Sequence, residues 1–295
     1  MSCILVTGAS GQLGAYLLRE LRREDVTVVA WSGTTAGECV GVPLRSVDLG
    51  DAAAVTHAFR AARPDVVLHA GALARVADCH RDPDRARRVN VEGTAVLAHL
   101  AAKSRVRLVY ISTDLVFDGE HAPYREDDPV CPHSIYGRTK EEAEAVVLAT
   151  PRGVVARLSL LFGPSLGARP SFFDEQVTAL REARPITLFA DEWRTPLDLA
   201  TAATALLALA RSDVTGRLHI GGPERLTRLE MGQRWAAFLG ADARSIRVVR
   251  RNEVPAPEAR PRDTSLDSSR WRALFPAQPW PSWESALRSL FAGQT

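Results

Sequence analysis

Three glycines constrain this chain more than any other feature. Gly8, Gly11 and Gly14 stand at three-residue spacing in TGASGQLG, directly after the apolar run CILVT. The segment that follows, 13–23, has apolar residues at 13, 17, 18 and 21, a helical period. A strand that turns so abruptly into a helix needs small residues at the turn. The same smallness lets the backbone approach a pyrophosphate, and the free N–H groups and positive dipole end of the helix favour an anion there. The motif, in its strand-turn-helix setting, predicts a dinucleotide site at Gly8, Ser10, Gly11, Gln12, Leu13 and Gly14.

The same unit recurs through the first half. Strand-like apolar runs at 26–31, 42–47, 66–70, 108–112 and 154–158 alternate with helical segments near 52–62, 84–103 and 137–149. Strands that are apolar throughout are covered on both faces. The pattern therefore predicts an α/β, Rossmann-type doubly wound parallel sheet, with its NAD(P)-binding domain at residues 1–158. After about residue 160 prolines and helices take over, the helices at 171–184, 198–211, 227–239 and 282–292. A smaller, mostly helical substrate-binding region is expected over 159–295. Short apolar runs at 186–189, 218–220 and 246–249 offer segments that return to the sheet, and the three prolines of 254–261 predict a loop.

An acidic residue usually ends the second strand of an NAD-binding sheet and takes the ribose 2′-hydroxyl. Here Ser32, Gly33 and Thr34 stand in its place. No carboxylate would repel a 2′-phosphate, so NADP(H) is favoured and NAD(H) remains possible. Asp48 and Leu49, after the third run, are expected to frame the adenine.

The chain has only two lysines, Lys103 and Lys140, among 37 basic residues. Lys140 lies four residues after Tyr136 at the start of a predicted helix, which puts both on one face. A tyrosine, with a reference pKa of about 10, exchanges protons poorly near neutrality. A nearby ammonium would stabilise its phenolate, in a geometry that a forked guanidinium would not reproduce. Upstream, a strand ends in Ser112, Thr113 and Asp114, where an open α/β sheet places its chemistry. A hydroxyl there would bond a substrate carbonyl.

Other classes are disfavoured. The net charge is +2, and the densest basic spot, RARR at 85–88, reads as a solvated helix face, so no nucleic-acid partner is expected. No apolar run approaches the roughly 20 residues of a membrane helix, and no signal segment opens the chain. Four cysteines without C-x-x-C spacing read as reduced, mostly buried thiols of a cytoplasmic protein, with no metal site.

These residues resemble the extended short-chain dehydrogenase/reductase family, in the branch of the dTDP-4-dehydrorhamnose reductases and their relatives, over most of the chain. ILVTGASGQLG, HAGALARVADCH, VNVEGT and above all STDLVFDGEHAPYREDDPVCPHSIYGRTKEEAE carry the likeness, with RLSLLFGP, DEWRTPLD and RPRDTSLDSSR looser. The resemblance implies Thr113 as the carbonyl-facing hydroxyl, Tyr136 as general acid and Lys140 as the residue that tunes it and holds the ribose. It implies that Ala70, Gly71 and Ala72 line the cofactor and that Asn90 supports the sheet or a relay water. It places substrate contacts at Val76, Asp114, Val116, Phe117 and Arg260. Trp193 is a further candidate, for stacking on a base or sugar or for packing the lobe interface.

The chain departs from the branch at Leu160, where a tryptophan is usual, and at Trp193 and Arg194, where small residues are usual. The implied activity is hydride transfer from NAD(P)H to a keto group, with a nucleotide sugar as substrate and the protein acting as monomer or homodimer. Two rivals remain. One is a non-catalytic NADP-binding subunit like the regulatory subunit of methionine adenosyltransferase. The other is a nucleotide-sugar epimerase or dehydratase, disfavoured by Leu115, where dehydratases carry an acid, and by the missing acidic ribose partner.

Overall fold

The computed structural model describes residues 2–167 and 169–292. Its centre is an eight-stranded sheet. Seven strands come from the first half: β1 (Cys3–Thr7), β2 (Thr27–Ser32), β3 (Gly37–Cys39), β4 (Val42–Ser46), β5 (Val66–His69), β6 (Arg107–Thr113) and β7 (Gly153–Leu158). The second half contributes β8 (Leu161–Phe162), β9 (Ile186–Phe189), β10 (Trp193–Arg194), β11 (Leu197–Asp198), β12 (Gly216–Ile220), β13 (Leu226–Thr227) and β14 (Ile246–Val249). The order across the large sheet is β12-β7-β6-β5-β1-β2-β4-β3, and every pairing is parallel except β3 with β4. The fold is thus the doubly wound α/β sheet that the alternating pattern predicts.

Burial explains the uninterrupted apolar strands. All seven residues of β6 are buried, between helices on both faces. On one face lie α1 (Gln12–Leu21) and α8 (Leu199–Ala210), which bury Leu17, Leu18, Leu206 and Leu209 against Val6, Val109 and Val154. On the other lie α2 (Ala52–Ala62), α5 (Gly93–Ser104) and α6 (Ile135–Leu148), which bury Phe59, Leu97 and Val147 against Leu5, Leu108 and Tyr110. Each such leucine contributes about 1.5–3 kcal/mol by leaving water. The helix starts are chemically marked. Asp51 accepts the Ala53 and Ala54 N–H groups at the start of α2, and Ser134 accepts the Gly137 N–H at the start of α6.

The segment 84–103 is not one continuous α-helix. It divides into α4 (Pro83–Arg87), a π-turn at Arg88–Glu92 and α5, with α3 (Val76–Arg81) just before. The short β3–β4 hairpin, turning at Val40 (φ 45°) and Gly41 (φ 74°), was not expected. A three-residue edge strand leaves no period to read.

In the second half α7 (Phe172–Arg181) and α9 (Arg228–Leu239) both open on capping boxes. Together with α11 (Trp283–Phe291) they enclose an aromatic cluster of Phe162, Phe173, Trp235 and Trp283. Leu160 packs against this cluster. The short helix α10 (Ser269–Leu274) lays Trp271 onto the α1–α8 core. Strand β12 runs parallel to β7, pairing Gly216 to Ile220 with Val154 to Leu158, so a second-half segment completes the first-half sheet. The run 246–249 pairs with β9 instead, in a separate two-stranded sheet. All four cysteines are free; Cys39 and Cys79 are buried, Cys3 is half-buried and Cys131 is exposed, contrary to the expectation of mostly buried thiols. Among the described residues no helix is long and apolar enough to cross a membrane, and no cluster of metal-ligating side chains occurs.

Candidate active site

The glycine turn is shaped by close backbone contacts. Gly8 has φ +67°, and a Cβ there would meet the Gly71 nitrogen at 2.7 Å. A Cβ at Gly14 would meet the Gly8 carbonyl at 2.2 Å. Helix α1 opens at Gly11 with no side-chain cap, which leaves its first N–H groups for an anion. The floor beside the turn is pinned by a buried chain of hydrogen bonds. Thr7 Oγ1 accepts the Gly71 N–H at 3.0 Å and pairs with His69 Nδ1 at 2.7 Å, while His69 Nε2 pairs with Thr94 Oγ1 at 2.9 Å. Burial, aided by the Lys140 charge, pushes the His69 pKa down to about 3, so the imidazole is a neutral strut.

A cleft of about 550 Å³ runs over this floor. Of the predicted cofactor residues, Gly8, the 10–14 turn, Ser32, Asp48, Leu49 and the 70–72 segment all line it, as does Tyr136. The cradle fits a dinucleotide: an uncapped helix start, glycines whose Cβ atoms would fill the floor, and a long cleft between the β1 and β6 edges.

Thr113, the last residue of β6, reaches the same cleft. Its Oγ1 accepts the Leu115 N–H at 3.1 Å and donates to Asp114 Oδ1 over a long 3.3 Å, a bond weak enough to be exchanged for a carbonyl. Ser112 is spent elsewhere, because its hydroxyl donates to Glu144 at 2.6 Å. Tyr136 lies half-buried in the first turn of α6. Burial first, then the Asp114 and Cys79 charges, raise its pKa above the ordinary phenol value, against a smaller opposing contribution from Thr113. The phenol stays protonated near neutrality.

Lys140 departs from the expected arrangement. It is 3% exposed, and its Nζ lies 4.0 Å from the centre of the Tyr110 ring, a cation–π contact behind the cleft wall. Burial pulls its pKa down to about 7, although Glu144 and Cys79 pull the other way. The ammonium is not what sets the Tyr136 pKa, which burial raises instead.

This desolvation has a measurable cost. The folded chain holds the Lys140 proton less tightly than an unfolded chain does, so the penalty is fully present below about pH 7 and is relieved as the pH rises towards 10.5. Lys140→Met is therefore expected to stabilise the protein without cofactor by a few kcal/mol at pH 7. It should also flatten the rise of the melting temperature between pH 7 and 10. A fall in melting temperature at pH 7 would refute the penalty.

Asn90 does not line the cleft. It is fully buried on the π-turn and clamps Leu73 from both sides, accepting its N–H at 2.7 Å and donating to its carbonyl at 3.1 Å. It also donates to Thr139 Oγ1 at 3.0 Å, so it ties the cofactor-side loop to the helix of Tyr136.

A second cavity of about 310 Å³ lies on the other side of the β6 end and the α6 start, lined by Val76, Leu115, Ser134, Arg194, Glu258 and Arg260. Val76 and Arg260 were predicted here; Arg194 and Glu258 were not. Asp114 is buried beneath it, accepting from Ser159 at 3.2 Å and Thr264 at 3.0 Å, with Arg194 Nε at 3.7 Å. Its role is to join the two halves rather than to face a ligand. Arg194 and Arg260 gather with Arg228 around Glu192, which lies 3.8 Å from Arg260 Nη1. Burial and the Arg194 charge lower the Arg228 pKa to about 10. Among the described residues Arg228 Nη1 and Arg260 Nε have no hydrogen-bond partner.

Three further predicted substrate contacts are corrected. Val116 and Phe117 are fully buried, Phe117 stacked on Tyr124 with ring centroids 4.0 Å apart, in a small apolar cluster away from both cavities. Trp193 lines neither cavity; its ring lies under the Arg225 guanidinium, 4.9 Å from the centroid. Successive residues of a strand point to opposite sides, so on β10 Arg194 turns inward and Trp193 outward.

Fold and cleft together place the protein in the extended short-chain dehydrogenase/reductase class. The chain matches the RmlD substrate binding domain over residues 1–295, and it belongs to that family. It is 33% identical over 97% of its length to a Streptomyces antibioticus protein named probable dTDP-4,6-dihydroxy-2-methyloxan-3-one 4-ketoreductase, covering 94% of that protein. It is 31% identical over 94% of its length to the bovine (Bos taurus) methionine adenosyltransferase 2 subunit beta, covering 84% of it. Among solved structures, a dTDP-4-dehydrorhamnose reductase from Clostridium acetobutylicum superposes with a TM-score of 0.87 at 26% identity, each chain 99% covered.

Proposed function

We propose that this protein is an NADP(H)-dependent reductase that transfers hydride to the keto group of a nucleotide sugar, a 4-keto sugar nucleotide being the expected substrate. The observation that carries this reading is the meeting of Thr113 and Tyr136 in the glycine-cradled cleft, with an arginine-lined cavity just beyond. The 8–14 turn and the 70–72 segment would hold the dinucleotide, whose reduced nicotinamide would supply the hydride for the carbonyl carbon. Tyr136, kept protonated by burial, gives its proton to the carbonyl oxygen. Thr113 holds that oxygen by exchanging its long bond to Asp114. To stabilise the phenolate left behind, Lys140, one turn along α6, must leave the Tyr110 ring for the cleft.

The second cavity suits the rest of such a substrate. Arg194 and Arg260 line the cavity with Glu192 and Glu258, and Arg228 lies close by, so guanidinium donors are on hand for a diphosphate. Leu160 packs into the aromatic cluster where the branch usually has a tryptophan, so the sugar need not be the rhamnose precursor. NADP(H) is preferred because Ser32–Thr34 offers no carboxylate to a 2′-phosphate, and NAD(H) remains a second cofactor. We further propose a cytoplasmic location, action as monomer or homodimer, and no nucleic-acid partner.

Similarity to methionine adenosyltransferase 2 subunit beta supports a second reading, a dinucleotide-binding regulatory subunit. The two readings separate in one assay. Absorbance at the reduced-nicotinamide band is followed with NADPH and a panel of 4-keto sugar nucleotides. Oxidation with at least one of them is expected. Tight NADPH binding with no oxidation across the panel would favour the regulatory reading.

A further inference from the structure

The geometry points to Arg85 as the cation that pairs with a phosphate of the dinucleotide, an inference that rests on the cleft being a dinucleotide site. From sequence, Arg85 reads as part of a solvated basic face. In the structure it sits on α4, four residues before Val89, and both line the 550 Å³ cleft beside the 70–74 segment. Residues four apart share a helix face, so the cleft-facing side of this turn carries the guanidinium.

The electrostatics of the cleft call for such a group. Among its described lining residues only Asp48 and Arg85 carry full charges. Asp48 is committed locally, since its Oδ1 accepts the Gly50 N–H at 2.8 Å. The glycine turn offers N–H groups and a helix end worth about half a positive charge, which a doubly anionic pyrophosphate exceeds. A 2′-phosphate would add about −1.5 to −2. The Ser32–Thr34 loop has no cation to meet it, and its nearby hydroxyls are already engaged: Ser32 donates to the Thr35 carbonyl and Ser46 donates to the Gly33 carbonyl at 2.8 Å.

Arg85 is free to supply the missing charge. Of the arginines around it, Arg81 pairs with Asp78 at 2.8 Å and Arg87 pairs with Glu142, while Arg88 does not line the cleft. The Arg85 backbone N–H donates to Asp82 Oδ1 at 2.9 Å, but its guanidinium has no ion pair or hydrogen bond among the described residues. Being exposed, it swings over the cleft without leaving a buried partner unpaired.

The test is a fluorescence titration of wild type, Arg85→Ala and Arg85→Lys with NADPH and with NADH, at low and at physiological salt. A charge-assisted hydrogen bond corresponds to roughly ten- to hundredfold in affinity. Arg85→Ala is expected to weaken binding by that factor at low salt and by less at physiological salt, and Arg85→Lys to recover part of the loss. A loss shared by both dinucleotides identifies the pyrophosphate as the partner; a loss confined to NADPH identifies the 2′-phosphate. Either result supports the inference. Unchanged affinity for both, with wild-type binding intact, overturns Arg85 alone. A wild-type chain that binds neither dinucleotide overturns the cofactor reading and this inference with it. Thermal melts of the variants, expected to match wild type, exclude misfolding.

Discussion

Tyr136→Phe is expected to lower kcat about a thousandfold while leaving the NADPH dissociation constant within a few-fold of wild type. The deleted hydroxyl is the proposed proton source for the carbonyl oxygen, and a positioned general acid contributes on the order of 10²–10⁴ in rate. The ring itself, half-buried at the start of α6, remains to fill its space. The phosphate cradle is built from the 8–14 turn on a different element, so cofactor binding should survive. The fold should survive too. A hydroxyl whose pKa is raised mainly by desolvation gains little from its surroundings, and its loss leaves no buried charge unpaired. Single-turnover oxidation of bound NADPH with an excess of accepted ketone measures the effect on chemistry directly. Turnover within tenfold of wild type would remove Tyr136 from the proton transfer and, with it, the main ground for a redox enzyme.

The largest expected effect on stability lies two turns further along the same helix. Glu144→Ala should cost about 3–5 kcal/mol. Glu144 Oε1 and Oε2 accept from Arg157 Nε at 2.9 Å and Nη2 at 2.7 Å, a bidentate pair with both side chains 2% exposed. Ser112 donates to the same carboxylate at 2.6 Å, and the partly exposed Arg217 lies 3.4 Å away. Removing the carboxylate leaves the Arg157 guanidinium buried beside a neutral imidazole, His219, whose pKa burial and Arg157 itself press down to about 3. Urea unfolding at pH 7 measures the loss. The double variant Glu144→Ala with Arg157→Met should recover most of it, because the penalty belongs to the stranded charge rather than to an absent attraction. A single-variant loss below about 1 kcal/mol would contradict this account of the pair.

Legibility from the sequence followed the range of the interactions. The glycine turn, the alternating strands and helices, and Thr113, Tyr136 and Lys140 are local patterns, a spacing within one turn or a period along one element. The structure puts the turn, Thr113 and Tyr136 on one cleft. What Lys140 does to its surroundings was not legible, because spacing fixes a helix face but not which neighbour the amine meets, and it meets the Tyr110 ring. The arginine cluster was equally hidden. Arg194, Arg228 and Arg260 come from three separated segments, and nothing local marks them as neighbours of Glu192. Val116 and Phe117 misled for a related reason. They follow Thr113 closely in sequence, but the turn at Asp114–Val116 directs them into a buried cluster and leaves Leu115 to face the second cavity. A signal for Arg194 was available: a charged residue where the related branch carries a small one.

The return of the chain to β12 bears on how such reductases can be recombined. Strand β7 is hydrogen-bonded along its outer side by β12, and α8 roofs one face of the same sheet. A chimera spliced after Leu158, meant to graft a foreign sugar-recognition lobe onto this nucleotide half, would strip that edge and that roof together. Donor lobes must therefore arrive with their own matching copy of 199–220, or the host must keep it and accept inserts on either side. Specificity in this architecture is exchanged more safely as loops threaded between retained framework pieces than as an interchangeable cassette.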